Sequence, residues 1–275
     1  MLLSIITINY NDLAGLKKTM ASVLEQSYAE IEYIVIDGGS TDGSKDYIEN
    51  SQLDLAYWVS EPDQGIYHAM NKGINQASGD YLLFLNSGDW LVGIDVLSDV
   101  SLRIKDGKDI YYGDLFIINE EKTVERLYPD SLSFNYFFDK GHLPHPSMFI
   151  KKGLFTTVYN YNENFKIIAD WDFYVCAICK YNATYKHLNL FITNHDAYGI
   201  SNLPESRAIV LQERQNSLKT NFPLFIVDAE ELIVAKKKLQ SKRYLKFEYL
   251  DTKRFSRKIN TVYLMVLSKV FGIKI

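Results

Sequence analysis

The sequence predicts an α/β fold: a Rossmann-like, mostly parallel sheet with flanking helices, followed by a helical C-terminal extension. Three observations predict it. Strand-like and helix-like patterns alternate through residues 1–90, the order of βαβ units with right-handed crossovers. Tyr81-Leu82-Leu83-Phe84-Leu85 is an unbroken run of large apolar residues, as in a strand buried on both faces inside a parallel sheet. From Pro204 onward the pattern turns helical and the charge changes sign. Residues 236–275 carry twelve Lys/Arg against two Asp/Glu, whereas residues 1–235 carry eighteen against thirty-two. This is a basic tail on an acidic body. A chain of 275 residues, 47% of them hydrophobic, has room for one large α/β domain with an appendage.

The elements follow in order. Leu2–Ile8 is an apolar strand. Asn11 or Asp12 suits the cap of a helix carrying Leu13, Leu16, Met20, Val23 and Leu24 at helical spacing. Ile31–Ile36 is a second strand, ending at Asp37-Gly38-Gly39-Ser40-Thr41-Asp42-Gly43, and a helix follows. Leu55–Val59 is a short third strand. Gly65–Ala77 reads as a helix with Ile66, Ala69, Met70, Gly73, Ile74 and Ala77 on one face, stopped at Gly79, and Asp63 suits its cap. The Tyr81–Leu85 strand comes next. The pattern then predicts a helix over Ile94–Ile104, a hairpin of Ile110–Ile118 and Thr123–Tyr128, a strand over Ser147–Ile150, a helix over Asp170–Lys180 and a strand over Thr184–Ile192. The domain boundaries are placed at 1–205, halved at residue 90, and 206–275.

Composition narrows the function. The two cysteines, Cys176 and Cys179, give no disulfide framework. Their C-x-x-C spacing falls inside a helix, where buried apolar thiols are the better account. The N-terminus has no basic region before its apolar run, and no apolar run reaches spanning length, so a cytoplasmic protein is expected.

Three turns carry the chemistry. The Asp37 turn joins a carboxylate at a strand end to two glycines that let backbone approach a ligand; a base or ribose donor suits it. It is not a phosphate-binding glycine fingerprint. In the second, Asp63, Asn71 and Lys72 crowd onto or before a helix with a strong apolar face. Lys72 fits either a phosphate contact or a solvated position, and His68 fits the surface. In the third, Asn86-Ser87-Gly88-Asp89, a carboxylate follows the doubly buried strand. In open α/β sheets ligands sit beyond the carboxyl ends of strands. A carboxylate there suits a hard divalent cation held against a diphosphate.

Together, strand-Asp37-Gly-Gly-Ser-Thr-Asp42-Gly, Asp63-x-Gly-Ile-Tyr-x-Ala-Met-Asn-Lys-Gly73 and strand-Leu85-Asn86-Ser87-Gly88-Asp89 resemble family 2 glycosyltransferases, especially the branch that builds bacterial cell-surface polysaccharides. The resemblance is strong over residues 1–90, patchier over 91–205 and not visible beyond. It implies the GT-A fold, with 1–90 as nucleotide-binding half and 91–205 as acceptor half. It also implies an inverting transfer from a nucleotide-diphosphate sugar, a UDP-sugar favoured, to a glycan or lipid-linked hydroxyl. By position, the resemblance assigns Thr7, Asn9 and Tyr10 to the nucleotide border and Asp37, with Gly38, to the nucleobase. Asp63, Asn71, Lys72 and Asn86 go to the donor site, and Asp89 to Mn²⁺ or Mg²⁺. Asn86 stands where an Asp is common, and Gly88 replaces another frequent acid.

Ile168-Ala169-Asp170-Trp171-Asp172-Phe173 resembles the family's segment whose first Asp is the catalytic base. Asp170 takes that role and Asp172 is its reserve; helix capping is the competing use of both. His145, in His145-Pro146-Ser147-Met148-Phe149, and His195, before Gly199-Ile200-Ser201, are assigned to the acceptor side. A nucleotidyltransferase and a non-catalytic nucleotide-sugar-binding protein are the alternatives. The first lacks a glycine/basic triphosphate loop over Asn9–Gly15. For the tail, an anionic membrane surface, packing on the domain and a homodimer contact all stay open. Nothing else in the chain suggests nucleic acid.

Overall fold

The computed structural model describes residues 1–119, 122–139, 141–197, 199 and 204–271. The first half is β1 (Leu3–Asn9), α1 (Leu13–Leu24), β2 (Ile31–Asp37), α2 (Ser44–Asn50), β3 (Tyr57–Ser60), α3 (Ile66–Gln76) and β4 (Tyr81–Phe84). β1 lies between β2 and β4, and β3 flanks β2, all parallel. Every residue of β1 and β4 is buried, as a strand covered on both faces requires. Beyond Phe84 the chain stays beside β1: Leu85 N donates to Ile6 O and Ser87 N to Ile8 O.

The second half adds β5 (Trp90–Leu91), α4 (Val96–Arg103), β6 (Ile110–Ile118), β7 (Thr123–Arg126), α5 (Phe134–Asp139), β8 (Met148–Lys151), α6 (Leu154–Thr157), α7 (Ala169–Cys179), β9 (Tyr185–Asp196) and α8 (Ser206–Asn221). The sheet runs β3-β2-β1-β4-β8-β6-β9-β5, with β7 paired to β6. β8 is antiparallel to β4 and β6, β6 is parallel to β9, and β5 and β7 are antiparallel to their partners. Six of the nine described strands therefore share one direction, and the expected mostly parallel α/β fold is the fold observed.

Two glycine positions matter for packing and entry. A Cβ on Gly73 of α3 would sit 2.5 Å from Cγ2 of buried Ile6, so the helix rests directly on β1. Gly65 (φ +127°) leads into α3 as its N-cap, and no side chain caps that helix. The expected Asp63 cap is replaced by an ion pair with Lys72, a stronger charge-assisted contact. At α1, Asp12 is the cap and accepts from Gly15 N at 2.9 Å.

The chain divides into two units, 1–221 and 222–275. The second holds α9 (Ile226–Leu239), α10 (Lys242–Asp251) and α11 (Arg254–Phe271). No described helix is long and apolar enough to cross a membrane.

Candidate functional site

The carboxyl ends of β1, β2 and β3 bring Asn9, Asp37 and Ser60 together. Asp37 is fully buried, and its carboxylate accepts four hydrogen bonds: Asn9 Nδ2 (2.7 Å), Ser40 N (2.9 Å), Ser40 Oγ (2.5 Å) and Ser60 Oγ (2.6 Å). Burial pushes its pKa up, but the donors from Ser40, Ser60 and Asn9 outweigh that and hold it below the ordinary value. Asp37 therefore locks the turn that follows β2. Thr7 is also fully buried; its hydroxyl donates to Leu85 O at 2.8 Å, beneath the site floor. Tyr10 is the exposed member, at 69%. A Cβ on Gly38 would lie 3.1 Å from both the Tyr10 ring and Asp63 Oδ2, so Gly38 leaves a slot between ring and carboxylate.

Lys72 Nζ sits 2.6 Å from Asp63 and 2.8 Å from Glu61. Burial lowers its pKa, but the two carboxylates more than reverse this, so the ammonium stays charged. His68, partly exposed, approaches Asp63 at 3.3 Å. Asn71 turns the other way. Its Nδ2 donates to Tyr161 O (2.8 Å) and Glu163 Oε1 (2.7 Å), and its Oδ1 accepts from Tyr161 N (3.0 Å). It thus ties α3 to the segment before α7.

The Asn86–Asp89 turn hangs on α1. Thr19 Oγ1 donates to Asp89 O at 2.6 Å and accepts from Gly88 N at 3.1 Å, while Gly88 adopts φ +95°. Asp89 is buried, and Oδ1 accepts from His195 Nδ1 (2.8 Å) and Asp196 N (3.0 Å). Burial lowers the pKa of His195, but the Asp89 carboxylate more than compensates and leaves it raised. His195, assigned to the acceptor side from sequence, thus stands against the metal candidate. The turn fits a hard cation: Asn86 Oδ1 and Ser87 Oγ are sealed from solvent without a partner, and both hydrogen bonds to Asp89 leave Oδ2 clear. Among the described residues no three His, Cys, Asp or Glu converge on one point. An ion would therefore take its remaining ligands from substrate oxygens and water.

Asp170 lies in the first turn of α7, half-buried. Ile168 is the N-cap position and no side chain caps the helix, so Asp170 is not spent on capping. Its Oδ1 accepts from the Tyr67 hydroxyl of α3 at 2.8 Å, and that hydroxyl also lies 2.5 Å from Ile167 O. Burial, followed by the Asp170 charge, holds Tyr67 well above the ordinary phenol range, so it stays a donor. Glu213 of α8 accepts from the amides of Lys166 and Ile167 at 2.7 and 3.1 Å, fixing the approach to α7. His145 shares a 3.0 Å hydrogen bond with Tyr161 and stacks on Phe84. Burial lowers its pKa, and nearby Asp170 and Asp89 offset this only in part, so His145 lies within the field of both carboxylates.

Asp172 is two residues on and so points elsewhere on the helix. It is buried and accepts from Tyr159 (2.7 Å), Ser217 and Asn221 (3.3 Å), anchoring α8. Burial raises its pKa. Of the Gly199-Ile200-Ser201 segment, only Gly199 lies within the described residues.

Tyr67, Thr19 and Glu213 were not singled out from sequence. Tyr67 and Asn71, spaced i, i+4, were the available signal for a second buried face on α3.

Residues 4–160 match the family model described as glycosyl transferase family 2. An uncharacterized glycosyltransferase of Mycobacterium tuberculosis is 37% identical over 198 residues, covering 66% of this chain and 75% of the relative. A PGL/p-HBAD biosynthesis glycosyltransferase of Mycobacterium bovis is 28% identical over 201 residues, covering 71% and 77%. Among solved structures, residues 1–349 of S. aureus TarS with UDP-GlcNAc align with a TM-score of 0.58 at 20% identity, covering 71% of this chain and 58% of that one. The match spans 37% of a longer TarS chain. The mannosyltransferase PcManGT of Pyrobaculum calidifontis, in complex with GDP-Man and Mn²⁺, aligns with a TM-score of 0.54 at 15% identity, covering 99% and 88%. At these identities the structural likeness establishes the fold. The family match spans more than half of the chain, and the chain belongs to glycosyltransferase family 2.

Proposed function

We propose that the chain is an inverting glycosyltransferase that uses a nucleotide-diphosphate sugar, a UDP-sugar favoured, and glycosylates a hydroxyl of a glycan or lipid-linked acceptor in cell-surface polysaccharide synthesis. One observation carries this reading: Asp170 is a half-buried carboxylate, unused as a cap, and held by Tyr67 from the helix that also bears Lys72. The TarS complex with UDP-GlcNAc and the PcManGT complex with GDP-Man support a nucleotide-sugar donor.

In this reading the Tyr10 ring offers a stacking face to the base. Asp37 serves the base and ribose side through the turn it holds, and Thr7 and Asn9 underlie that turn. Lys72, with Asp63, lies on the donor side. Asp89, with Asn86 and His195 beside it, would hold Mn²⁺ or Mg²⁺, which when bound neutralises charge on the departing diphosphate. Asp170 takes the acceptor hydroxyl proton as that oxygen bonds to the anomeric carbon. The bond to the diphosphate oxygen breaks on the opposite face, its electron pair leaves with the nucleoside diphosphate, and configuration inverts. His145, within the field of both Asp89 and Asp170, belongs to the acceptor side in this reading.

The test pairs calorimetric donor binding with assay of nucleoside diphosphate release. Asp170→Asn should keep donor affinity and lose about 10²–10⁴-fold in kcat. Asp89→Asn should weaken Mn²⁺-dependent donor binding. Full activity in both variants would falsify the assignment.

The proposal extends to the 222–275 unit. On α11, Phe255, Ile259, Val262, Tyr263, Val266 and Val270 share one helical face, and each is more than half exposed. The surrounding segment has a net charge of +10 over residues 236–275. A basic helix with an uncovered apolar, aromatic face suits an anionic leaflet. Two such surfaces facing each other in a homodimer would repel. Peripheral attachment would bring the enzyme to a lipid-linked acceptor.

A further inference from the structure

Arg214 of α8 is a cation with no anion among the described residues. Its guanidinium carbon lies 4.9 Å from the ring centre of Trp171. Among the described residues it makes no ion pair, and its Nε is sealed from solvent without an acceptor. Guanidinium keeps its charge and all five donors at any pH the fold survives. Buried donors are ordinarily satisfied, and an orphan calls for an explanation. The adjacent Glu213 does not supply one, because its carboxylate is spent on the amides of Lys166 and Ile167.

The surroundings identify which wall of the site this is. Trp171 directly follows Asp170 on α7, and its indole N–H donates to Gly141 O at 2.6 Å. Tyr174, on the same helix, accepts from Leu143 N at 3.0 Å. Burial is the main reason the Tyr174 hydroxyl stays protonated; Asp170 adds to that effect and Arg214 opposes it, so both charges act on this one phenol. Arg214 therefore stands over Trp171, whose indole meets the 141–143 segment, and its charge acts on the same Tyr174 hydroxyl as that of Asp170.

We propose that Arg214 is an anion subsite on the acceptor side, binding a phosphate or carboxylate carried by the acceptor. The inference rests on Asp170 marking the acceptor side. A guanidinium over an indole presents paired N–H donors in the geometry that two oxygens of one phosphate accept. The donor diphosphate is the competing source of the same chemistry, and the experiment separates them.

Glycerol 3-phosphate and glycerol serve as charged and neutral probes. Each is titrated by calorimetry into full-length protein saturated with UDP and Mn²⁺, so that the donor phosphate position is filled. Glycerol 3-phosphate should bind and glycerol should not. Arg214→Gln should weaken the phosphate probe by about tenfold or more, and Arg214→Lys by less, since an ammonium keeps the charge but not the fork. UDP affinity should be unchanged in both variants. In the wild-type protein the sealed Arg214 Nε–H resonance should move on adding glycerol 3-phosphate, a readout that needs no variant to fold. Three results would overturn the subsite: no binding of glycerol 3-phosphate to wild type, equal affinity in wild type and Arg214→Gln, or loss of UDP affinity in Arg214→Gln. The last would assign the arginine to the donor. Failure of UDP itself to bind wild type would count against the glycosyltransferase mechanism, while the glycerol 3-phosphate titration, repeated without UDP, would still decide the subsite.

Discussion

Two carboxylates show how differently one residue type is used at neighbouring strand and helix ends. Asp37 has both oxygens committed to the chain, whereas among the described residues Asp170 is held on one side only, by Tyr67. Tyr67→Phe keeps the ring and removes that hydrogen bond. It should lower kcat by about tenfold with donor KM unchanged, because only the aim of the proposed base is lost; steady-state kinetics at saturating donor would show it, and an equal rise in KM would argue against the role. Asp37 predicts a pH effect. Its folded pKa is depressed, so its contribution to stability is present above about pH 4 and is lost as pH falls through the folded value. Urea unfolding should find wild type more stable than Asp37→Asn near neutrality, with the gap closing in acid. That Asp37 closes a strand and Asp170 opens a helix was visible in the motif spacing. That Asp37 is saturated and Asp172 anchors α8 was not, because each fate depends on partners distant in the chain: Asn9 and Ser60 for Asp37, and Tyr159, Ser217 and Asn221 for Asp172.

At the scale of elements, α3 is the part whose sequence was both most and least transparent. Its apolar face over Ala69, Met70, Gly73 and Ile74 was plain from helical spacing, and these residues are buried. Its second face, Tyr67 and Asn71, is polar at the tips, and spacing alone does not tell a buried tip from a wet one. Gly73 seats the helix on β1. Gly73→Ala gains up to about 1 kcal/mol of helix propensity. It also drives a methyl into Ile6, an overpacking that costs about 1–3 kcal/mol. The second effect should win, lowering Tm by a few degrees in differential scanning calorimetry. Strand β4 was legible because burial on both faces leaves an unbroken apolar run. The reversal of β8 was not, since burial patterning carries no direction. The two-residue β5 and the short, aromatic-rich α5 and α6 fall below the length at which a period can be read.

For the whole molecule, charge and exposure divide the chain as contacts do. The 222–275 unit leaves α11 with an uncovered apolar face. If an anionic leaflet is its partner, co-sedimentation with vesicles containing phosphatidylglycerol should exceed that with phosphatidylcholine alone and fall as salt rises. Val262→Asp combined with Val266→Asp should abolish it while leaving UDP binding intact. Binding indifferent to lipid charge would count against the proposal. The basic, apolar composition of the tail was evident in the sequence, and the pattern of exposed residues on α11 adds where that surface lies.

The cross-links from α3 bear on how such enzymes diversify. Tyr67 and Asn71 belong to residues 1–90, the proposed donor half, yet their partners, Ile167, Asp170, Tyr161 and Glu163, belong to the proposed acceptor half. Grafting the 91–205 part of a relative onto residues 1–90 would therefore set a foreign Asp170 segment on a helix shaped for another. New acceptor preferences should arise through paired changes in α3 and the 159–170 segment, so the two halves evolve as one inheritance and not as interchangeable parts.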